Sequence, residues 1–200
     1  MSDASSLVLP RWEWRALEPS MQGLRQRLAG VQIQSVRSIH ETYLLCLRNS
    51  HNAKIRSGIM DLKWRKQVDR QGLELWDPIL KTGFPCEAMV ISQFFGAWAL
   101  PLPTLVRDTY TLEQFLQEVI LPNKELKPLE VQKVREGFVL EGTTCEFATV
   151  SAKGLSLESF CVEHDDPRLV MNLLSILGLD SHQNVNYPMA LKKALAHQAA

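Results

Sequence analysis

A chain of 200 residues suits one substantial hydrophobic core. Apolar side chains make up 46% and charged ones 22%, with ten Gly and ten Pro, which excludes a disordered tail, a collagen-like rod and a coiled coil. The 22 basic and 22 acidic residues cancel to a formal charge of zero, so no global field draws the chain to duplex nucleic acid or anionic membranes. Any anion preference has to come from local clustering.

The opening MSDASSLVLPRWEWR has no basic stretch followed by an apolar run, so no export signal is read and a cytoplasmic location is expected. Leu7 to Leu17 alternates as a strand does. Pro19 then opens a helix that ends near Ala29, before Gly30. Val31 to Arg48, rich in β-branched residues, predicts two strands or one interrupted strand, followed by a turn at Asn49 to Asn52. Three short strands are expected at Ala53 to Arg56, Ile59 to Lys66 and Leu73 to Trp76, the first two joined by Ser57-Gly58.

Pro85 to Ala99 has the length and apolar content of a helix, and Thr111-x-x-Gln114 is a capping box opening another that stops before Pro122. The tract Ala88 to Val106 carries Gln93, Pro101 and Pro103, which makes it a buried helix or a homodimer contact rather than a membrane span. Val131 to Leu140, Thr144 to Val150 and Leu155 to Glu163 are spaced as an antiparallel meander, with joints at Glu141-Gly142 and Lys153-Gly154. Asp166-Pro167 caps a helix through Leu177 with Gly178 as its stop, and Tyr187-Pro188 begins the last, through about Ala196. The expected organisation is one α+β domain over 1–200, with a helical insertion at about 85–122 and carboxyl-terminal helices at about 167–197.

Side chains two apart on a strand share a face, and several of these strands place ionic groups at that spacing. Arg11, Glu13 and Arg15 line one face with Trp12 and Trp14 behind them, as do Lys54 and Arg56, and Asp61, Lys63 and Arg65 with Leu62 and Trp64 behind. Lys133 and Arg135 repeat the pattern with Val134 and Phe138 opposite; Glu146 and Glu163 are acids on the following strands. A half-exposed sheet with its polar face in water is one reading. The excess of Lys and Arg favours the other, in which a concave face curls around a polyanion, because like charges brought together need compensation.

Cys46, Cys86, Cys145 and Cys161 are widely spaced without a CxxC pair and read as reduced, buried thiols. His40, His51, His164, His182 and His197 show no metal-binding spacing, and the tryptophans read as packing groups. Lys81 and Arg107 flank the insertion as solvated loop charge.

In order and strand context these residues resemble the CYTH superfamily, the triphosphate tunnel metalloenzymes that include inorganic triphosphatases, thiamine triphosphatases and class IV adenylyl cyclases. Arg11-Trp12-Glu13-Trp14-Arg15 is similar to the family's opening E-x-E-x-K strand, Glu41-Thr42-Tyr43 to its D-T-Y strand, Lys54-Ile55-Arg56 to L-R-I-R and Asp61-Leu62-Lys63 to L-x-x-K. Lys133-Val134-Arg135 resembles the K-x-R strand after the helices, Glu146 the acid on the next strand, and Glu163 the second acid of an E-x-E strand. Gly178-Leu179, Asn184 and Asn186-Tyr187-Pro188 resemble the carboxyl-terminal signature of one branch.

The resemblance implies an eight-stranded antiparallel β-barrel, or tunnel, with helices packed outside. Arg15, Lys54, Arg56, Lys63, Arg65, Lys133 and Arg135 would bind phosphates, and Glu13, Glu146 and Glu163 would hold Mg²⁺ or Mn²⁺ and orient water. The implied ligand is a triphosphate-containing small molecule or inorganic polyphosphate, hydrolysed with the metal. The alternative is a binding module without chemistry, and ATP cyclisation ranks lower. Arg11 and Cys161 stand where the family has metal-binding acids, and Arg15 replaces a lysine, which removes a general base from that position.

Overall fold

A computed structural model of the chain describes residues 9–198, so Leu7 and Val8 of the expected first strand lie outside the described residues, as does the side chain of His197. Its chain order begins with β1 (Arg11–Glu18), α1 (Gln22–Arg27), β2 (Ser35–Cys46), β3 (Asn52–Arg56), β4 (Ile59–Val68) and β5 (Glu74–Gly83). A two-residue ribbon of β6 (Cys86–Glu87) and β7 (Thr109–Tyr110) brackets α2 (Ala88–Ala97), and α3 (Leu112–Gln114) continues as a π-helical segment over Phe115–Ile120. The chain then runs through β8 (Leu126–Leu140), β9 (Thr143–Ala152), β10 (Leu155–His164), α4 (Pro167–Ile176) and α5 (Tyr187–Gln198).

Eight strands close into an antiparallel ring in the order β1-β10-β9-β8-β2-β3-β4-β5. The last contact is β1 on β5, with Arg11 opposite Trp76 and Glu13 opposite Glu74, so within the ring no long strand edge is left to recruit another chain. Three of the connections are two-residue hairpins whose residues both have positive φ: Ser57-Gly58, Glu141-Gly142 and Lys153-Gly154. Such turns twist in the same sense as the strands they join.

Because side chains alternate, each strand sends one set outward and one inward. Trp14, Ala16, Phe138, Phe147, Phe160 and Val162 face out and pack beneath α1 and α4 through Leu24, Val170, Leu173 and Leu174. Leu44, Ala53, Ile55, Met60 and Leu62 face out on the opposite side, beneath Ile91, Phe94, Phe95 and Trp98 of α2 and Phe115, Val119 and Ile120 of the π-helical segment. The third cluster lies inside the ring. There Tyr43, Leu45, Leu129, Val131, Ala148 and Val150 pack against Tyr187 and Leu191 of α5.

The eight-stranded ring with helices packed outside is as expected, and α5 in addition covers an apolar stretch of the lumen wall. Other expectations shift in extent. β2 is one uninterrupted strand, α1 is shorter than expected, and β8 begins at Leu126 rather than Val131. β5 continues to Gly83 past Pro78, a residue that normally argues against a strand interior; Pro78 pairs with Lys63 next to a bulge, where the missing donor is tolerated. The capping box at Thr111 and Gln114 forms as expected, and Asp166 caps α4 with Pro167 at its first turn. All four cysteines are buried and reduced. Among the described residues no helix is long and apolar enough to cross a membrane.

Candidate functional site

The inward set of the ring is ionic over much of its length. Cα partners share a face, so β1 brings Arg11, Glu13 and Arg15 against Glu163 and Cys161 of β10, and β10 brings Cys161 against Glu146 of β9. On the other side, Lys54 of β3 lies opposite Tyr43 of β2 and Asp61 of β4, and Arg65 lies opposite Trp76. All seven cations and all three glutamates expected at a site therefore face one lumen.

Two acids gather most of the cations. Glu41, whose side chain is 0% exposed, receives the Lys133 Nζ at 3.1 Å, Lys54 Nζ at 3.7 Å and Arg56 Nη1 at 3.5 Å. Lys133 also donates to the Tyr43 hydroxyl at 2.6 Å and sits 3.7 Å from the centre of the Tyr187 ring. Arg15 also packs on that ring, 4.3 Å from the same centre. Arg15 donates from Nε to Glu13 at 3.0 Å and from Nη1 to Ser159 at 3.0 Å, with Glu146 3.6 Å away. Glu146 in turn is held by Arg135. A separate pair joins Arg65 to Glu74 at 2.8 Å, and the Asn186 amide donates to both Glu74 oxygens at 2.8 and 3.1 Å.

The segment before α5 secures this arrangement. Asn184 accepts from the Arg15 backbone N–H at 2.8 Å and donates to the carbonyls of Glu13 and Gly72, while the Val185 N–H donates to the Arg15 carbonyl. These bonds pin the chain against β1 and carry Asn186 and Tyr187 into the lumen.

The Glu13, Cys161 and Glu163 ligand atoms all lie within 4.8 Å of one another. Cys161 Sγ is 3.7 Å from Glu163 Oε1, and a cleft of about 140 Å³ opens beside them, lined also by Arg11, Lys63, Trp76 and Pro78. Glu146 is not part of this group; its two arginines hold it away. His164 lies on the outer face opposite Trp12, accepting from the Asp166 N–H at 2.9 Å, and Arg107 pairs with Glu118 at the surface.

Burial and charge sort the titrations. Burial alone would raise Glu41, but Lys54, Lys133 and Arg56 together hold its carboxyl below the usual range. Burial dominates at Lys133 and, with Lys54 and Arg15 nearby, pushes it down to about 7 despite Glu41. Burial works against ionisation of Glu13 as well, yet Arg15 and Lys63 keep it below its ordinary value. Burial and the Glu13 charge raise Glu163, so at this pair one carboxyl is ionised before the other. Burial likewise raises the Cys161 thiol far above its ordinary value.

Glu13 and Glu163 thus offer carboxylate oxygens on one wall of a cleft, a donor set that fits one oxygen-seeking divalent cation; a thiol kept protonated adds little for Mg²⁺. The sequence reading missed Glu41, Tyr43, Glu74, Ser159, Asn186 and Tyr187 as site residues. Glu41 and Tyr43 carried a signal, the two-residue spacing of a lumen face. Glu74 is a lone acid at a strand end, and Asn186 and Tyr187 read as a carboxyl-terminal signature and a helix start with no site role attached.

Neither a protein-family model nor a curated protein matches the sequence. Solved structures do. PH1012 from Pyrococcus horikoshii superposes with a TM-score of 0.50 at 13% identity, over 88% of this chain and 94% of its own. The chain has the PH1012 fold. PH1819 from the same organism gives 0.49 at 15% identity over 91% of this chain and 99% of that one. HpAC1 from Hippeastrum, an adenylyl cyclase candidate described as having a dominant triphosphatase activity, gives 0.46 at 14% identity, over 86% and 89% of the two chains.

Proposed function

We propose that this chain is a divergent CYTH-type tunnel protein that binds a triphosphate or short polyphosphate in its lumen and hydrolyses the terminal phosphoanhydride with Mg²⁺ or Mn²⁺. The observation that carries this reading is the convergence of Arg15, Lys54, Arg56, Lys63, Arg65, Lys133 and Arg135 on one enclosed face. Seven cations against the lumen glutamates Glu13, Glu41, Glu74, Glu146 and Glu163 form a lattice in which a phosphate chain can replace protein carboxylates as the partner of guanidinium and ammonium groups.

The protein's share of the work is positioning. Arg15 is held by Glu13, Ser159 and the Tyr187 face, so its fork is oriented before ligand arrives. Lys54, Arg56 and Lys133 meet at Glu41 and supply charge deeper in the lumen. Glu13 and Glu163 would hold the cation, which on binding neutralises charge developing on the transferred phosphoryl group. Enclosure by the ring limits competing water and strengthens each of these contacts.

The test is phosphate release from tripolyphosphate and nucleoside triphosphates with Mg²⁺ or Mn²⁺, comparing the parent chain with Glu163→Gln. Metal-dependent release that falls in the variant is expected; equal rates in both proteins would remove the metal role. The second reading, a phosphorylated-ligand binding module without turnover, is favoured by Glu146 lying between two arginines and by Cys161 at the cluster. It predicts a raised melting temperature with tripolyphosphate and no phosphate release.

A further inference from the structure

The cleft beside Glu13 and Glu163 carries two donors that the proposed function leaves unused, Arg11 and the Trp76 indole, next to Lys63, which it already counts among the phosphate-binding cations. Arg11 stands two residues before Glu13 on β1 and shares its face, and its Cα partner on β5 is Trp76. Trp76 is in turn the Cα partner of Arg65, so its indole belongs to the lumen wall. Arg11, Lys63 and Trp76 all line the cleft of about 140 Å³. Trp76 is only 4% exposed, yet its Nε1 has no hydrogen-bond partner. Buried N–H groups are nearly always paired, so an orphaned one beside a cleft marks a place where an acceptor belongs. Among the described residues neither Arg11 nor Lys63 forms an ion pair within 4 Å, in a lumen where the other expected cations are each paired to a glutamate.

A guanidinium and a buried indole N–H without protein acceptors, and an ammonium that acts on the Glu13 and Glu163 carboxyls from beyond ion-pair distance, thus line one small space. A phosphoryl group carries more oxygens and more negative charge than a carboxylate, so it meets all three donors from separate oxygens while keeping its charge on the side of Arg11 and Lys63. The geometry points to Arg11, Lys63 and Trp76 as an oxyanion subsite that takes the terminal phosphoryl group of the ligand, or the phosphate left after cleavage, without requiring a divalent cation. This deepens the proposed triphosphate reading and rests on it. It also gives Arg11 a purpose: a cation where the resembled family has an acid strengthens the grip on phosphate oxygens directly.

The test is calorimetric titration of the full chain with inorganic phosphate in EDTA, for the parent protein, Arg11→Gln and Trp76→Phe, with acetate as a second probe. Phosphate is expected to bind the parent in EDTA, and each substitution is expected to weaken it about tenfold, the scale of one hydrogen bond to a charged group. Trp76→Phe removes an unpaired buried donor, so the ligand-free protein should melt no lower than the parent while its affinity falls, a combination that a purely packing role does not produce. Arg11 is exposed, so Arg11→Gln tests the subsite without disturbing a core. Unchanged phosphate affinity in both variants, no phosphate binding in EDTA, or acetate binding as tight as phosphate would each overturn the subsite. Tripolyphosphate titrated into the parent with Mn²⁺ tells the two readings apart: binding there with any of those failures sinks the subsite alone, and no binding sinks the triphosphate reading as well.

Discussion

Two regions of one lumen wall are built on opposite principles. Around Glu41, three cations close on a fully buried carboxylate and a tyrosine hydroxyl, with the Tyr187 ring as a lid. Around Glu13 and Glu163, two carboxyls crowd each other while Arg11 and Lys63 form no ion pair within 4 Å and the buried Trp76 indole N–H no hydrogen bond. The first region ties its cations into one buried network and presents them preorganised; the second leaves Arg11 and Lys63 without ion pairs beside an open cleft. A cationic face is thus no guide to ligand binding until its internal acids are counted.

Substitutions should separate the two regions. Glu41→Ala leaves three cations around an empty space and is expected to cost about 3–5 kcal/mol of stability, the scale for breaking a buried ion pair from one side, read by urea denaturation. A loss as small as that of an exposed pair would show the Glu41 region to be solvated and erase the contrast. Glu163→Gln should do the reverse. It relieves carboxyl crowding, so melting should stay level or rise, while Mn²⁺ affinity measured by titration should drop at least ~10-fold, since even outer partners of a metal site cost that much.

The pH response belongs to the Glu41 region. Lys133 is pushed down to about 7 from an ordinary 10.5. Between those values the unfolded chain holds a proton that the folded chain has released, so stability rises with pH across that window and is flat below it. Denaturation midpoints taken between about pH 6 and pH 10 should show this rise in the parent and lose its Lys133 component in Lys133→Met. Over the same range tripolyphosphate affinity should fall, because the neutral amine no longer attracts phosphate. The smallest effect is expected far from the lumen: Thr111→Ala removes the cap of α3 and should cost about 1 kcal/mol with no change in phosphate affinity.

Much of this architecture was legible in the chain. The two-residue alternation of Arg11, Glu13 and Arg15 against Trp12 and Trp14 separated lumen from outer face, and Ser57-Gly58, Glu141-Gly142 and Lys153-Gly154 marked hairpins that do form. The second half of β5 was hidden because Pro78 speaks against a strand and only a bulge, set by the neighbouring β4, accommodates it. Asn186 and Tyr187 were visible as a carboxyl-terminal signature, but their place in the lumen was hidden because a helix start carries no sign of where the helix docks.

Sequence alone determined which residues share a face, since strand alternation is a local property of the backbone. Closure of the ring decided the rest: it brought β1 against β5, set Trp76 beside Arg11, and let α5 enter the lumen. Those contacts join residues more than 60 positions apart, and no short-range pattern encodes them. Which cations are spent on Glu41 and which remain free follows from that closure, because pairing depends on distances across the lumen that exist only once all eight strands have met.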